Sequence, residues 1–197
     1  MFDNMLYYSS FAENHSSILQ NNGLEPGNFI LATIHRDNNT DIPERLNSIF
    51  KAIVHSANKS GLKVVLPLHP RTHKLMPLNL DPQLLNEITE NQLIKMIPPA
   101  SFFDMIMLEK HCRMVLTDSG GVQKEAWFNR KPCIILRPET EWIEIVEQGA
   151  GIICDADETR IIKAFDHFNM NTIIDYPPIF GDGHAASFIC KEIYDTI

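Results

Sequence analysis

No apolar stretch in this sequence is longer than a β-strand needs. "KVVLPL" and "CIIL" are among the longest, and neither approaches the span of a bilayer. The opening "MFDNMLYYSSFAENHSS" has no basic flank followed by an apolar core, so it does not read as a secretory signal. Basic clusters are missing too. The 17 lysines and arginines are scattered and the net charge is −8, which argues against a nucleic-acid backbone as partner. The four cysteines, Cys112, Cys133, Cys154 and Cys190, form no CxxC pair, so neither a zinc knuckle nor a redox dithiol is indicated. Buried, reduced thiols in a cytoplasmic protein are the expectation. Internal repeats and low-complexity segments are absent as well.

What remains is ordinary: 44% hydrophobic and 21% charged residues, the composition of a globular core. A length of 197 residues fits one domain, or one lobe of a two-lobed protein. Short runs rich in Val, Ile and Leu at 28–34, 63–68, 92–97, 113–117 and 132–137 read as strands buried on both faces, with "GIIC" at 151–154 as a sixth. Between them lie helical patterns. Residues 42–61 place Ile42, Leu46, Ile49, Ile53 and Val54 on one face and stop at Gly61. Ser101 stands as N-cap before "FFDMIMLEKH", and "DETRIIKAFDHF" and "DGHAASFICKEIYDTI" predict two more helices. A helix from Asp3 to Asn21 opens the chain and ends in the turn-rich "NNGLEPGN". This alternation predicts an α/β fold with a doubly wound parallel sheet, 28–34 and 113–117 in its interior, and residues 1–27 as a connector helix and joint.

In such sheets ligands sit beyond the carboxyl ends of the strands, and "TDSGGVQKEA" at 117–126 occupies one. Gly120 and Gly121 lack Cβ atoms, so the backbone can turn tightly there and approach an anion closely. The helix that follows directs unpaired N–H groups and its positive dipole end at a phosphate. Ser119 adds a hydroxyl. Glu125, just over a turn along, has the chemistry to accept hydrogen bonds from two ribose hydroxyls. A plain strand-to-helix turn, capped by Asp118 or Ser119 with Glu125 on a solvated face, fits these residues alone equally well. The stretch is neither GxGxxG nor a P-loop.

The wider pattern adds a resemblance. "TDSGGVQKEA", "KPCIILRPETEW" and "EQGA", with "ATIHRDNNTD" at 32–41, "PLHPRT" at 67–72 and "FGDGHAA" at 180–186, resemble the non-hydrolysing UDP-N-acetylglucosamine 2-epimerases in order and spacing over essentially the whole chain. The resemblance implies the Rossmann-like, UDP-binding C-terminal lobe (residues 28–197) of a GT-B-type two-lobed enzyme. Its amino-terminal lobe, which would carry the residues handling the proton at C2 of the sugar, has no counterpart here. The implied partners are a UDP-sugar, that absent lobe and, at full length, a second copy of the enzyme; nucleic acid and membrane are not among them. The implied reaction interconverts UDP-GlcNAc and UDP-ManNAc by elimination and re-addition of UDP, and needs no cofactor. Two alternatives are the nucleotide lobe of a GT-B glycosyltransferase and a stand-alone UDP-binding module.

Residue by residue, the resemblance implies that Ser119, Gly120 and Gly121 hold the diphosphate and Glu125 the ribose. His35 becomes the catalytic group, helping UDP to leave, with Arg36 beside it; a role in capping the next loop is the other reading of His35. His69 lines the nucleotide site or closes a turn. A zinc reading of His69 and His73 is disfavoured by the intervening Pro70 and the lack of a third ligand. Met105 falls at the base-stacking position, although Phe102, Phe103 and Met105 read equally as a core-facing helix stripe. Arg137 lies near the sugar nucleotide or pairs with Glu139 or Glu141. Asn38 stands where the family has Glu.

Overall fold

A computed structural model describes residues 1–170 and 173–196. Six parallel strands form one sheet: β1 (Phe29–Thr33), β2 (Lys63–Pro67), β3 (Ile94–Ile97), β4 (Met114–Thr117), β5 (Cys133–Ile135) and β6 (Gly151–Ile153). Their spatial order is β3-β2-β1-β4-β5-β6, the doubly wound Rossmann-like arrangement. All five strand runs and the sixth candidate are therefore strands, and β1 and β4 are the central pair. Every residue of β1 and β4 is buried, as apolar strands covered by helices on both faces must be. At the sheet edges β3 and β6 are only partly covered.

Among the described residues, ten helices precede the chain's last segment: α1 (Phe2–His15), α2 (Ile18–Asn22), α3 (Asp37–Thr40), α4 (Pro43–Ser60), α5 (Pro70–Asn79), α6 (Pro82–Glu90), α7 (Phe102–His111), α8 (Gly120–Phe128), α9 (Ile143–Glu147) and α10 (Glu158–Asn169). The last, α11, is Ala185–Thr196. One face of the sheet packs on α4, α6 and α10 through Leu46, Ile53, Ile88 and Phe165. On the other, Phe29, Leu31, Val65 and Val115 meet Leu108 of α7 and Ala126 of α8.

Four expectations change. The opening helix is two helices, because Ser16 is extended and its hydroxyl is engaged: it donates to Asp104 at 2.5 Å and accepts the Ile18 N–H. Ile42 is not on the buried face; it is the exposed N-cap residue of α4, ahead of Pro43. The last helix starts at Ala185, because Gly181 and Gly183 take positive φ and the Asp182 carboxylate instead accepts the His184 N–H; its expected final residue, Ile197, lies outside the described residues. Cys112, Cys133 and Cys154 are buried and unpaired, but Cys190 is exposed on α11, whose described residues bury no side chain.

Candidate functional site

The sheet grows from β1 through β2 to β3, then the chain returns past β1 to begin β4. The loops leaving β1 and β4 thus emerge side by side at the carboxyl edge, where the crevice of an open α/β sheet lies. Thr33 and Thr117 are register partners at the two strand ends, with their hydroxyls 2.6 Å apart.

One residue further along, Asp118 is wholly buried. A carboxylate in such a place needs donors, and it has them. Its oxygens accept the main-chain N–H of His35 at 3.1 and 3.0 Å, that of Arg36 at 3.0 Å and the side-chain amide of Asn39 at 3.2 Å. The Nδ1 of His35 lies 3.2 Å from the same carboxylate. The ring thus turns Nδ1 to the carboxylate and leaves Nε2 toward the edge for a ligand. Asn39 also donates to the Leu136 carbonyl at 2.8 Å and accepts from Arg45, which pairs with Asp155. One polar network thereby joins the loops after β1, β4, β5 and β6.

His69 closes a turn and also stands beside His35. Its Nδ1 accepts the Arg71 N–H at 3.2 Å and caps α5, while its ring centroid stands 5.4 Å from that of His35. Arg36 is exposed beside it on the β1 loop.

Ser119 caps α8, its hydroxyl accepting the Val122 N–H at 3.4 Å. The first-turn N–H groups of Gly120 and Gly121 have no intrahelical acceptor. Neither glycine takes a positive φ, so a tight left-handed turn is not what excludes a side chain here. Close approach is: a Cβ on Gly120 would stand 3.0 Å from Oε2 of Glu141. Glu141 is itself gripped by Arg137 through two hydrogen bonds of 2.8 Å, which lower the Glu141 carboxyl below its ordinary range and raise Arg137 further. The same loop closes over α8. The indole of Trp142 donates to the Gly120 carbonyl at 2.7 Å, Thr140 donates to Gln123 at 2.6 Å, and the Lys124 ammonium lies 4.0 Å from the Trp142 ring centroid and 4.4 Å from that of Phe180.

Of the residues singled out in the sequence, His35, Arg36, His69, Ser119, Gly120, Gly121 and Arg137 meet at this edge. Glu125 lies further along α8, half-buried. Met105 packs against the apolar cluster containing Leu108 and Val115. Near it in the chain, but lined by other residues, is an apolar cavity of about 480 Å³ beyond β2 and β3, walled by Leu68, Pro70, His73, Met96, Ile97, Pro98 and Pro99. A second, of about 180 Å³, is polar and lies between Arg36, Asn39, Arg45, Arg137 and Glu139. Asp118, Asn39 and Trp142 were not singled out as site residues. The adjacency of Asp118 to the glycines was the one available signal, and it suggested only a helix cap.

Fold and edge together define a Rossmann-like α/β lobe with imidazole, guanidinium and free N–H groups gathered at its switch point. The family is shown by comparison: the model of the UDP-N-acetylglucosamine 2-epimerase family matches residues 1–194, and the chain belongs to that family. It is 36% identical over 194 residues to a UDP-N-acetylglucosamine 2-epimerase homolog of Methanococcus maripaludis, covering 98% of this chain and 52% of that protein. To the UDP-2,3-diacetamido-2,3-dideoxy-D-glucuronate 2-epimerase of Pseudomonas aeruginosa it is also 36% identical, over 193 residues, with coverage of 98% and 50%. The crystal structure of the Methanocaldococcus jannaschii UDP-GlcNAc 2-epimerase in complex with UDP-GlcNAc and UDP superposes with a TM-score of 0.84 at 32% identity, covering 98% of this chain and 52% of that one. The chain thus spans about half the length of the relatives it matches.

Proposed function

We propose that the chain is the UDP-holding lobe of a 2-epimerase that interconverts UDP-GlcNAc and UDP-ManNAc, with residues 1–27 as connector and 28–197 as the nucleotide domain. The observation that carries this reading is the coupling of the two central strand ends. Asp118 fixes the β1 loop, with His35 on it, directly beside the glycine turn of α8.

In this reading the diphosphate sits on the N–H groups of Gly120 and Gly121 and the hydroxyl of Ser119, where the α8 dipole favours negative charge. Arg36 and Arg137 flank it. His35, its Nδ1 engaged by Asp118, hydrogen-bonds or protonates a phosphate oxygen through Nε2 as UDP leaves, stabilising charge that develops only as the bond to the sugar breaks. Glu125 takes the ribose hydroxyls. The uracil base is assigned to the apolar cavity walled by Pro70, Met96, Pro98 and Pro99, since Met105 is engaged in packing against the core. Elimination leaves a 2-acetamidoglucal, and UDP returns after reprotonation on the opposite face; a second lobe supplies that proton chemistry. UDP is both leaving group and returning nucleophile, so no cofactor is invoked.

Family membership favours epimerisation over transfer to an acceptor. A second substrate, the diacetamido uronic-acid nucleotide, is supported by the equal identity to the Pseudomonas relative. Calorimetry with UDP, followed by incubation with each UDP-sugar, tests the proposal. Weak UDP binding without turnover is expected of the 197-residue chain alone. Failure to bind UDP refutes the lobe assignment, and appearance of UDP-ManNAc refutes the need for a second lobe.

A further inference from the structure

Arg45 stands at the wrong end of its helix for a cation. It lies in the first turn of α4, where the helix dipole is positive and an acidic side chain is the stabilising choice. It does not fill the core either, since its side chain is 21% exposed and lines the polar cavity beside Asn39 and Arg137. A residue set against its local rule points to a functional or strained site.

What Arg45 touches is Asn39, which is 1% exposed on α3. Its Nε and Nη2 donate to the Asn39 side-chain oxygen at 3.2 and 2.9 Å. On the other side, the amide nitrogen of Asn39 donates to Asp118 at 3.2 Å and to the Leu136 carbonyl at 2.8 Å. A side-chain amide can turn over, exchanging its oxygen and nitrogen. Turned over here, the oxygen would face a carboxylate and a carbonyl, and the nitrogen a guanidinium that has donors only. Arg45 thus fixes the sense of the Asn39 amide, and with it one of the donors on the wholly buried Asp118. Asp118 in turn accepts the main-chain N–H groups of His35 and Arg36.

Arg45 is itself held. Asp155, in the loop after β6, takes both of its terminal nitrogens: Nη1 donates to one carboxylate oxygen at 3.1 Å and Nη2 to the other. Asp155 has a φ of 55°, in the left-handed region that a non-glycine residue keeps only where its surroundings hold it. Its N–H donates to the Arg137 carbonyl at 3.2 Å. The contacts run from Asp155 through Arg45, Asn39 and Asp118 to His35.

We infer that Arg45 is a positioning residue for the anion site: bound by Asp155, it orients the Asn39 amide, which keeps Asp118 on the His35 and Arg36 N–H groups and so holds the His35 ring where a departing diphosphate meets it. The inference rests on the reading of His35 as the group that meets the diphosphate. It deepens that reading by naming what holds the histidine ready in the free protein. A loop fixed before the ligand arrives loses less freedom on binding. Loss of Arg45 therefore weakens binding without removing a contact to the ligand.

The test combines proton–nitrogen correlation spectra of the ligand-free chain, labelled at histidine, with calorimetric titration of UDP. Arg45→Met keeps most of the stem and removes every donor; Arg45→Lys keeps a single cationic group. Lys59→Met is the control, because Lys59 lies at the far end of the same helix and joins it to α10 through Asp166 at 2.8 Å. In Arg45→Met the main-chain and ring resonances of His35 are expected to move, and UDP affinity to fall about tenfold. Arg45→Lys is expected to move the same resonances less and to lose about threefold. Lys59→Met is expected to match the parent in both. Parent-like His35 resonances in Arg45→Met would overturn the inference. So would an equal displacement in Lys59→Met, which would mark a general loosening of α4. If Arg45→Met does not fold, Arg45→Lys decides by the same two readouts. Failure of the parent to bind UDP is a separate result: it removes the nucleotide reading, while the ligand-free spectra still decide what holds His35.

Discussion

The carboxylate of Asp118, at the end of β4, accepts the main-chain N–H of His35, at the end of β1, with both oxygens, and lies 3.2 Å from the Nδ1 of the same residue. A single buried side chain therefore holds the backbone of the candidate catalytic histidine and lies against its ring. Asp118→Asn replaces an acceptor of several N–H groups by an amide that turns a donor on some of them. We expect it to cost at least about 2 kcal/mol in urea unfolding, because buried donors lose their partner. UDP affinity should fall with it. Unchanged stability would mean that this network is not what holds the β1 loop.

Gly120→Ala separates binding from folding. Gly120 does not take a positive φ, so alanine there meets no backbone strain, and its cost should stay within about 1 kcal/mol, the displacement of the Glu141 side chain offsetting the entropic gain. The new methyl group stands at the anion-facing N–H groups, within 3.0 Å of Glu141. UDP affinity should drop by about tenfold or more. Thermal unfolding and titration on the same preparation check both halves; equal affinity would place the diphosphate elsewhere.

Glu125→Ala should weaken UDP binding by about 1.5–3 kcal/mol, as charge-assisted hydrogen bonds to the ribose are lost. Glu144, exposed on α9, is the control, and Glu144→Ala should bind like the parent. Deoxyuridine diphosphate, lacking the 2′-hydroxyl, should bind the parent less well than UDP does and Glu125→Ala about equally. The same penalty in both proteins would assign the ribose to another residue.

Stability should respond to pH through Glu109, which is buried on α7. Its folded-state carboxyl is raised above 4.5 by burial and by Glu125, so folding takes up a proton in the window between 4.5 and the folded value. The folded state then binds more protons than the unfolded chain, and stability falls as pH rises through that window. Glu109→Gln removes this dependence. It should melt higher than the parent near about pH 8, with the gap narrowing toward acid. A gap that widens toward acid would reverse the assignment of the proton.

Trp142→Phe keeps a ring over Lys124 but loses the indole bond to the Gly120 carbonyl. Amide exchange in the first turn of α8 should quicken, and UDP affinity should fall about fivefold. Unchanged exchange would mean that the loop merely rests on the helix.

The strands were legible because each is a short apolar run with turn residues on both sides, and burial on both faces leaves no other reading for "FILAT" or "MVLT". Helices α5 and α6 were not, since Pro70, Pro77 and Pro82 punctuate a stretch with little apolar periodicity before Leu84. The break at Ser16 depends on Asp104, which is remote in the chain. The site divides in the same way. Ser119, Gly120 and Gly121 are contiguous and announce a helix N-terminus. The hold of Asp118 on His35 and Asn39 exists only because β4 lies beside β1, and sheet order is not written in any local window. Glu109 was hidden for another reason: a glutamate on a helix is ordinarily assigned to water, and here it is buried.

The Arg137–Glu141 pair has a consequence for how an anion would arrive. Arg137 already spends both of its terminal nitrogens on a carboxylate that hangs over Gly120. A phosphate that engages this same face of the guanidinium takes the place of Glu141, so the event is an exchange of one anion for another, not the filling of an empty positive socket. Two things follow for the solution behaviour. Affinity should depend on ionic strength less steeply than the nearby arginines suggest, because the released carboxylate offsets much of the charge gained. Selectivity gains in return: a weak, singly charged anion has too little to offer Arg137 to dislodge a bidentate partner, whereas a diphosphate does not.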